Sequence, residues 1–150
     1  MIDSDEHGVQ RSFLATEEHF AILKRFEQDN LIVPLVGNFA GPATLRSVGN
    51  YLIEHDTRVS AFYLSNVEQY LFMSPDDWKN FYNNVAALPL DSKSAFVRPL
   101  INTGGGGYAA APLFRPGFQW DTLLFSMEEL LAAFSTGRIQ TYYDVIQLRN

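Results

Sequence analysis

At 150 residues, 47% of them hydrophobic, the chain suits one globular domain able to bury about two-thirds of the surface its unfolded form exposes. Eleven Lys and Arg scattered against seventeen Asp and Glu leave a net charge of −6, which excludes the clustered basic face that a nucleic-acid partner requires. The absence of cysteine excludes disulfides, thiolate catalysis and Cys-ligated metals, and no apolar run approaches the roughly 20 residues that span a bilayer. The acidic start MIDSDEHGVQR also lacks the basic-then-apolar order of a signal peptide. A cytoplasmic protein with no membrane and no nucleic-acid partner is expected.

Residues 1–12 read as a flexible amino-terminal tail. Thr16 followed by Glu17 and Glu18 reads as an N-cap with acidic first-turn residues, and Phe20, Leu23 and Phe26 recur at helical spacing, so a helix is expected over Glu17 to Gln28. Leu31 to Val36 is continuously apolar, as strands covered on both faces tend to be, and predicts a buried strand. Pro34 confines that strand to an edge or turns its amide position away from a partner. Gly41-Pro42 then opens a helix with Leu45, Val48 and Leu52 on one stripe, running to about His55. A second strand is expected from about Val59 to Leu64, a short helix over Val67 to Phe72, and a longer helix started by Ser74-Pro75-Asp76-Asp77 that carries Trp78, Phe81, Tyr82 and Val85.

Ser94 to Ile101 predicts a third strand, again weakened by a proline, Pro99. Residues 103–117 form a Gly/Pro-rich stretch whose four consecutive glycines disfavour regular structure. Ser126 and Glu129 spell a capping box for a helix through about Phe134, stopped near Gly137. Thr141 to Leu148 alternates well enough to predict a last strand. About four strands alternating with helices give an α/β chain, a single domain over residues 1–150.

No histidine pair has metal-ligand spacing, and neither a Gly-x-Ser-x-Gly elbow nor a Gly-x-x-x-x-Gly-Lys phosphate loop is present. No metal is therefore expected. What remains is a pair of strand ends. In α/β proteins strand carboxyl ends and helix amino ends converge on a ligand crevice, and here they present Gly37, Asn38, Phe39, Ala40 and Gly41 after the first strand and Ser65, Asn66, Glu68 and Tyr70 after the second. Asn38 offers both a donor and an acceptor; it serves equally to close its own turn between Gly37 and Gly41. Glu68 is the one carboxylate of the cluster and its one candidate acid or base. Ser65 and Asn66 serve as well for local helix capping, and Tyr70 as a packing group with a wet hydroxyl.

The phrases SFLATEEHF, LIVPLVGNFAGP and VSAFYLSNVEQYLF, within Arg11 to Phe72, resemble the carboxyl half of an uncharacterised bacterial family with a methyltransferase-like Rossmann fold. That resemblance implies a partial Rossmann-like three-layer sandwich. It also implies that Gly37-Asn38 sits where such enzymes touch the adenine of S-adenosylmethionine, and that Ser65-Asn66 sits where they hold substrate. Family members more usually carry aspartate at the position of Asn38, and their amino half, which holds the methionine and ribose of the cofactor, has no counterpart in this sequence. The chain then reads as a half-enzyme inactive alone, completed by a homodimer or by a separate amino-terminal half. The alternative is a non-catalytic module that binds a small ligand or another protein.

Overall fold

The structure, a computed structural model, describes residues 4, 5, 7–101 and 120–148. The Gly/Pro-rich stretch expected over 103–117 lies outside the described residues. The chain divides into two compact units, Met1–Val36 and Gly37–Asn150.

The first unit is built on helix α1, Glu17–Gln28, with the bounds its spacing predicts. The Thr16 hydroxyl accepts from the His19 amide, satisfying one of the free first-turn donors. Ahead of it, Ser4 and Gln10 form an isolated antiparallel bridge. The Asp5 carboxylate accepts from the amides of His7 and Val9 and from Arg11 Nε, so the acid is held below the usual carboxylate range, first by the Val9 N–H and then by Arg11. No residue of α1 is buried. Leu31 to Val36, expected as a buried strand, is neither strand nor buried: Leu31, Val33 and Leu35 are each more than 60% exposed, and Val36 is fully exposed. Pro34 supplies the physical reason, because it removes one ladder donor from a segment that has no paired neighbour among the described residues.

The second unit holds the core. It contains α2 (Thr44–Glu54), β1 (Ala61–Tyr63), α3 (Val67–Leu71), α4 (Asp77–Val85), β2 (Ala95–Ile101), β3 (Trp120–Ser126), α5 (Met127–Ser135) and α6 (Tyr142–Gln147). The sheet is mixed, in the order β1-β2-β3. β1 runs parallel to β2 with Ala61 opposite Ala95, and β3 runs antiparallel to β2 with Phe96 opposite Phe125. The fold is thus α/β with three described strands rather than about four. Two of the expected strands are absent, and β3, Trp120–Ser126, is a strand at a place where the sequence pattern predicts none.

Thr141 to Leu148, expected as the last strand, is instead the helix α6. Thr141 accepts from the Asp144 amide while the Asp144 carboxylate accepts from the Thr141 amide, a reciprocal cap that only a helix start provides. Tyr142, Val145 and Ile146, three and four positions apart, are its buried face. The Ser126 hydroxyl likewise caps α5 by accepting from Glu129 N, as the sequence predicts.

One face of the sheet carries a row of rings, Phe62, Phe96 and Phe125, set side by side by the strand register. Phe62 lies 5.6 Å from Phe96 and meets Phe81 of α4 edge-on at 6.1 Å. Phe81, Tyr82, Val85, Met127, Leu130, Ile139 and Val145 complete a core with almost no solvent contact. The opposite face carries Tyr63, Val97 and Leu124 in register, and Tyr63 and Leu124 are 63% and 70% exposed.

Candidate functional site

The site grows from a turn, two helices and one buried amide. Asn38 closes the turn itself: its Oδ1 accepts from Ala40 N at 2.9 Å and its carbonyl accepts from Gly41 N at 3.0 Å. Close approach dictates the glycine before it, since a Cβ on Gly37 would lie 2.1 Å from Thr44 Oγ1 and 2.8 Å from Thr44 Cβ. Phe39 then drops its ring against Phe62 at 5.8 Å and Phe81 at 6.1 Å, anchoring the turn to β1 and α4.

Asn84 fixes the turn from the other side. It occupies the apolar stripe of α4, three and one residues from Phe81 and Val85, and is 4% exposed. A buried amide is costly unless satisfied. Its Nδ2 donates to the carbonyls of Phe39 (3.0 Å) and Gly41 (2.8 Å), and its Oδ1 accepts from Arg46 Nε of α2 at 3.0 Å. Gly49 of α2 packs against the segment just after α4, where a Cβ would meet Ala87 O at 3.2 Å. Between turn and helices opens a polar cleft of about 620 Å³, lined by Ala40, Pro42, Arg46, Asn80, Asn83 and Asn84. Asn80, Asn83 and Asn84 share one helix face by their three- and four-residue spacing.

The expected site residues divide. Gly37, Asn38, Phe39, Ala40 and Gly41 build the turn, and Ala40 lines the cleft. Ser65, Asn66, Glu68 and Tyr70 are not among the cleft's lining residues. Ser65 takes a left-handed conformation (φ 48°) in the turn after β1, Asn66 begins α3 without a side-chain capping bond, and Tyr70 is 63% exposed.

Glu68, the candidate acid or base, is 2% exposed. Its carboxylate accepts from Arg98 Nε at 2.5 Å, from Arg98 Nη2 at 2.9 Å and from the Tyr82 hydroxyl at 2.6 Å. Arg98, 1% exposed, stacks over Phe96 at 4.3 Å and Phe125 at 5.0 Å, and its Nη1 finds no hydrogen-bond partner among the described residues. Burial works against the charged guanidinium, but the Glu68 carboxylate beside it outweighs burial and holds Arg98 above its usual value. Burial, and then the Glu68 charge, push the Tyr82 hydroxyl well above its usual value. Three elements, α3, α4 and β2, are thereby joined through one buried carboxylate.

Sequence reasoning missed Arg46, Asn80, Asn83 and Asn84, because a lone arginine and neutral amides form no catalytic motif. The usable signal was Asn84 itself, a polar residue on an otherwise apolar helical stripe. No group of three or more potential metal ligands occurs among the described residues, and no described helix is long and apolar enough to cross a membrane.

The architecture is therefore that of a mixed α/β domain with a polar cleft beside a helix-entry turn. Residues 1–140 match the model of DUF7790, a domain of unknown function, and the chain belongs to that family. No curated protein matches it.

Proposed function

We propose that this domain is a cytoplasmic binding module that holds a small polar ligand in the Arg46–Asn80–Asn83 cleft and performs no chemistry by itself. One observation carries the reading: a single buried amide, that of Asn84, fixes both the turn's carbonyls and the Arg46 guanidinium, so the cleft wall is preorganised before any ligand arrives. Glu68, the candidate acid or base, is engaged by Arg98 and Tyr82 and does not line the cleft. The test is a ligand screen on the ¹⁵N-labelled chain, read at the side-chain amides of Asn80 and Asn83. Saturable shifts there support the module; a broad set of polar fragments that leaves both amides unmoved overturns it.

A second reading is the Rossmann-like, methyltransferase-like half-domain, completed by a second copy or by a separate amino-terminal half. The exposed Tyr63–Leu124 face favours it, because a doubly wound sheet needs a helical layer on that side. Here S-adenosylmethionine would meet the Gly37–Gly41 turn, and Ser65, Asn66 and Tyr70 would face the methyl acceptor. Calorimetric titration with S-adenosylmethionine and S-adenosylhomocysteine decides: binding weakened by Asn38→Ala supports this reading, and a folded chain that binds neither removes it for the isolated domain.

A further inference from the structure

We infer that the cleft recognises an oxyanion, a carboxylate or a phosphoryl group, through the free end of the Arg46 guanidinium; this rests on the ligand-cleft reading above. A guanidinium carries five N–H donors in a planar fork. Arg46 commits only one of them, Nε–H, and commits it to the neutral Oδ1 of Asn84 at 3.0 Å. Both Nη groups are left over, and none of the ion pairs among the described residues includes Arg46.

Among the described arginines, Arg11 is paired with Asp5, Arg58 with Asp91 and Arg98 with Glu68, while Arg25, Arg46 and Arg138 are in no ion pair among the described residues. Of those three, Arg46 is the one whose guanidinium is fixed by a side-chain hydrogen bond among the described residues. Arg46 is held instead by an amide, which orients a cation without neutralising it. No carboxylate lines the cleft; its other polar walls are the amides of Asn80 and Asn83. An amide bonded at Nε leaves the two Nη–H groups of the fork's end parallel, the geometry that meets two oxygens of one carboxylate or phosphate. Asn80 and Asn83 can then donate to the same anion or bond the rest of the molecule.

Asn84 is the positioning residue of this arrangement. It touches the arginine and the turn, and its own donors are used up on Phe39 O and Gly41 O.

The test uses the whole ¹⁵N-labelled chain and matched small probes at constant ionic strength. Acetate is compared with acetamide, which has the same shape and no charge, and inorganic phosphate separates a phosphoryl preference from a carboxylate one. The expected result is a saturable shift of the Arg46 Nε–H and of the Asn80 and Asn83 side-chain amides with acetate or phosphate. Acetamide and the Arg46→Gln chain should each bind at least tenfold more weakly, and Arg46→Lys should fall between. Arg46 is exposed, so Arg46→Gln is expected to fold, and its unchanged circular dichroism checks this. Equal binding of acetate and acetamide at the cleft overturns the oxyanion while leaving the cleft reading intact. Shifts confined to other residues, or unchanged by Arg46→Gln, overturn it as well.

Discussion

Replacing Arg98 by methionine keeps most of the side chain's volume and removes its charge from a site where both partners are almost dry, with side chains 1% and 3% exposed. The variant leaves the Glu68 carboxylate buried with the Tyr82 hydroxyl as its remaining described donor. Breaking a buried ion pair from one side costs about 3–5 kcal/mol, against a total stability of about 5–15 kcal/mol for a domain. With a urea slope of about 2 kcal/mol per molar, the unfolding midpoint should fall by about 1.5–2.5 M. Fluorescence reports on it, since Trp78 stacks on Phe72 at 5.0 Å and lies 6.5 Å from Tyr82. The double variant Arg98→Met, Glu68→Gln removes both charges and should be more stable than Arg98→Met alone by about 1 kcal/mol or more. A single-variant loss under about 1 kcal/mol, or a double variant as unstable as the sum of its singles, would refute the claim that the pair is a coupled, desolvated unit.

Three further outcomes follow from contacts elsewhere. Gly37→Ala places a methyl inside Thr44, whose β-branched side chain cannot rotate clear, and should speed amide exchange at Ala40 and Gly41 by opening the turn. Protection at those two amides equal to that of the parent chain counts against the close approach. Asn84→Ala orphans Phe39 O, Gly41 O and Arg46 Nε and should cost about 1–3 kcal/mol in urea unfolding, which a loss below about 0.5 kcal/mol would contradict. Asp144 is held below the usual carboxylate range, first by the Gln140 amide and then by Thr141. A depressed carboxylate adds stability above its unfolded value and loses it as pH falls through the folded value. Asp144→Asn should therefore narrow the difference in melting temperature between neutral and acidic pH, and an unchanged difference argues against the cap.

The legible parts of this chain are those where two local signals agree. Thr16 before Glu17-Glu18 and the Phe20, Leu23, Phe26 spacing both name α1, and Ser126 with Glu129 names α5. At two places a single signal misleads. The apolar run Leu31 to Val36 has the composition of a buried strand, but composition cannot supply a neighbour to pair with. Thr141 to Leu148 alternates like a strand, yet Thr141 and Asp144 stand at the spacing of a capping box, and that local bond prevailed. The turn at Gly37–Gly41 was readable because glycine and asparagine mark it. The partners that make it a site were not, because Asn84 lies 43 and 45 residues from the carbonyls it binds. Glu68 stood out as a lone carboxylate, and only Arg98, 30 residues away, reveals what it is for.

The parallel register that sets Ala61 opposite Ala95 joins residues 34 positions apart, with α3 and α4 between them. Closing that span in a bare coil is entropically expensive, and a preformed α4 packed by Phe81 against Phe62 shortens the search. Assembly should therefore begin around α4 and β1, with α6 added last. Phe81→Leu should then mainly slow refolding, and Ile146→Val should mainly hasten unfolding, in stopped-flow chevrons. The reverse pattern would place the rate-limiting step at the carboxyl end. On this view the crossover is where the chain's kinetic fate is decided, and the tail that follows Gly137 governs how long the finished molecule lasts.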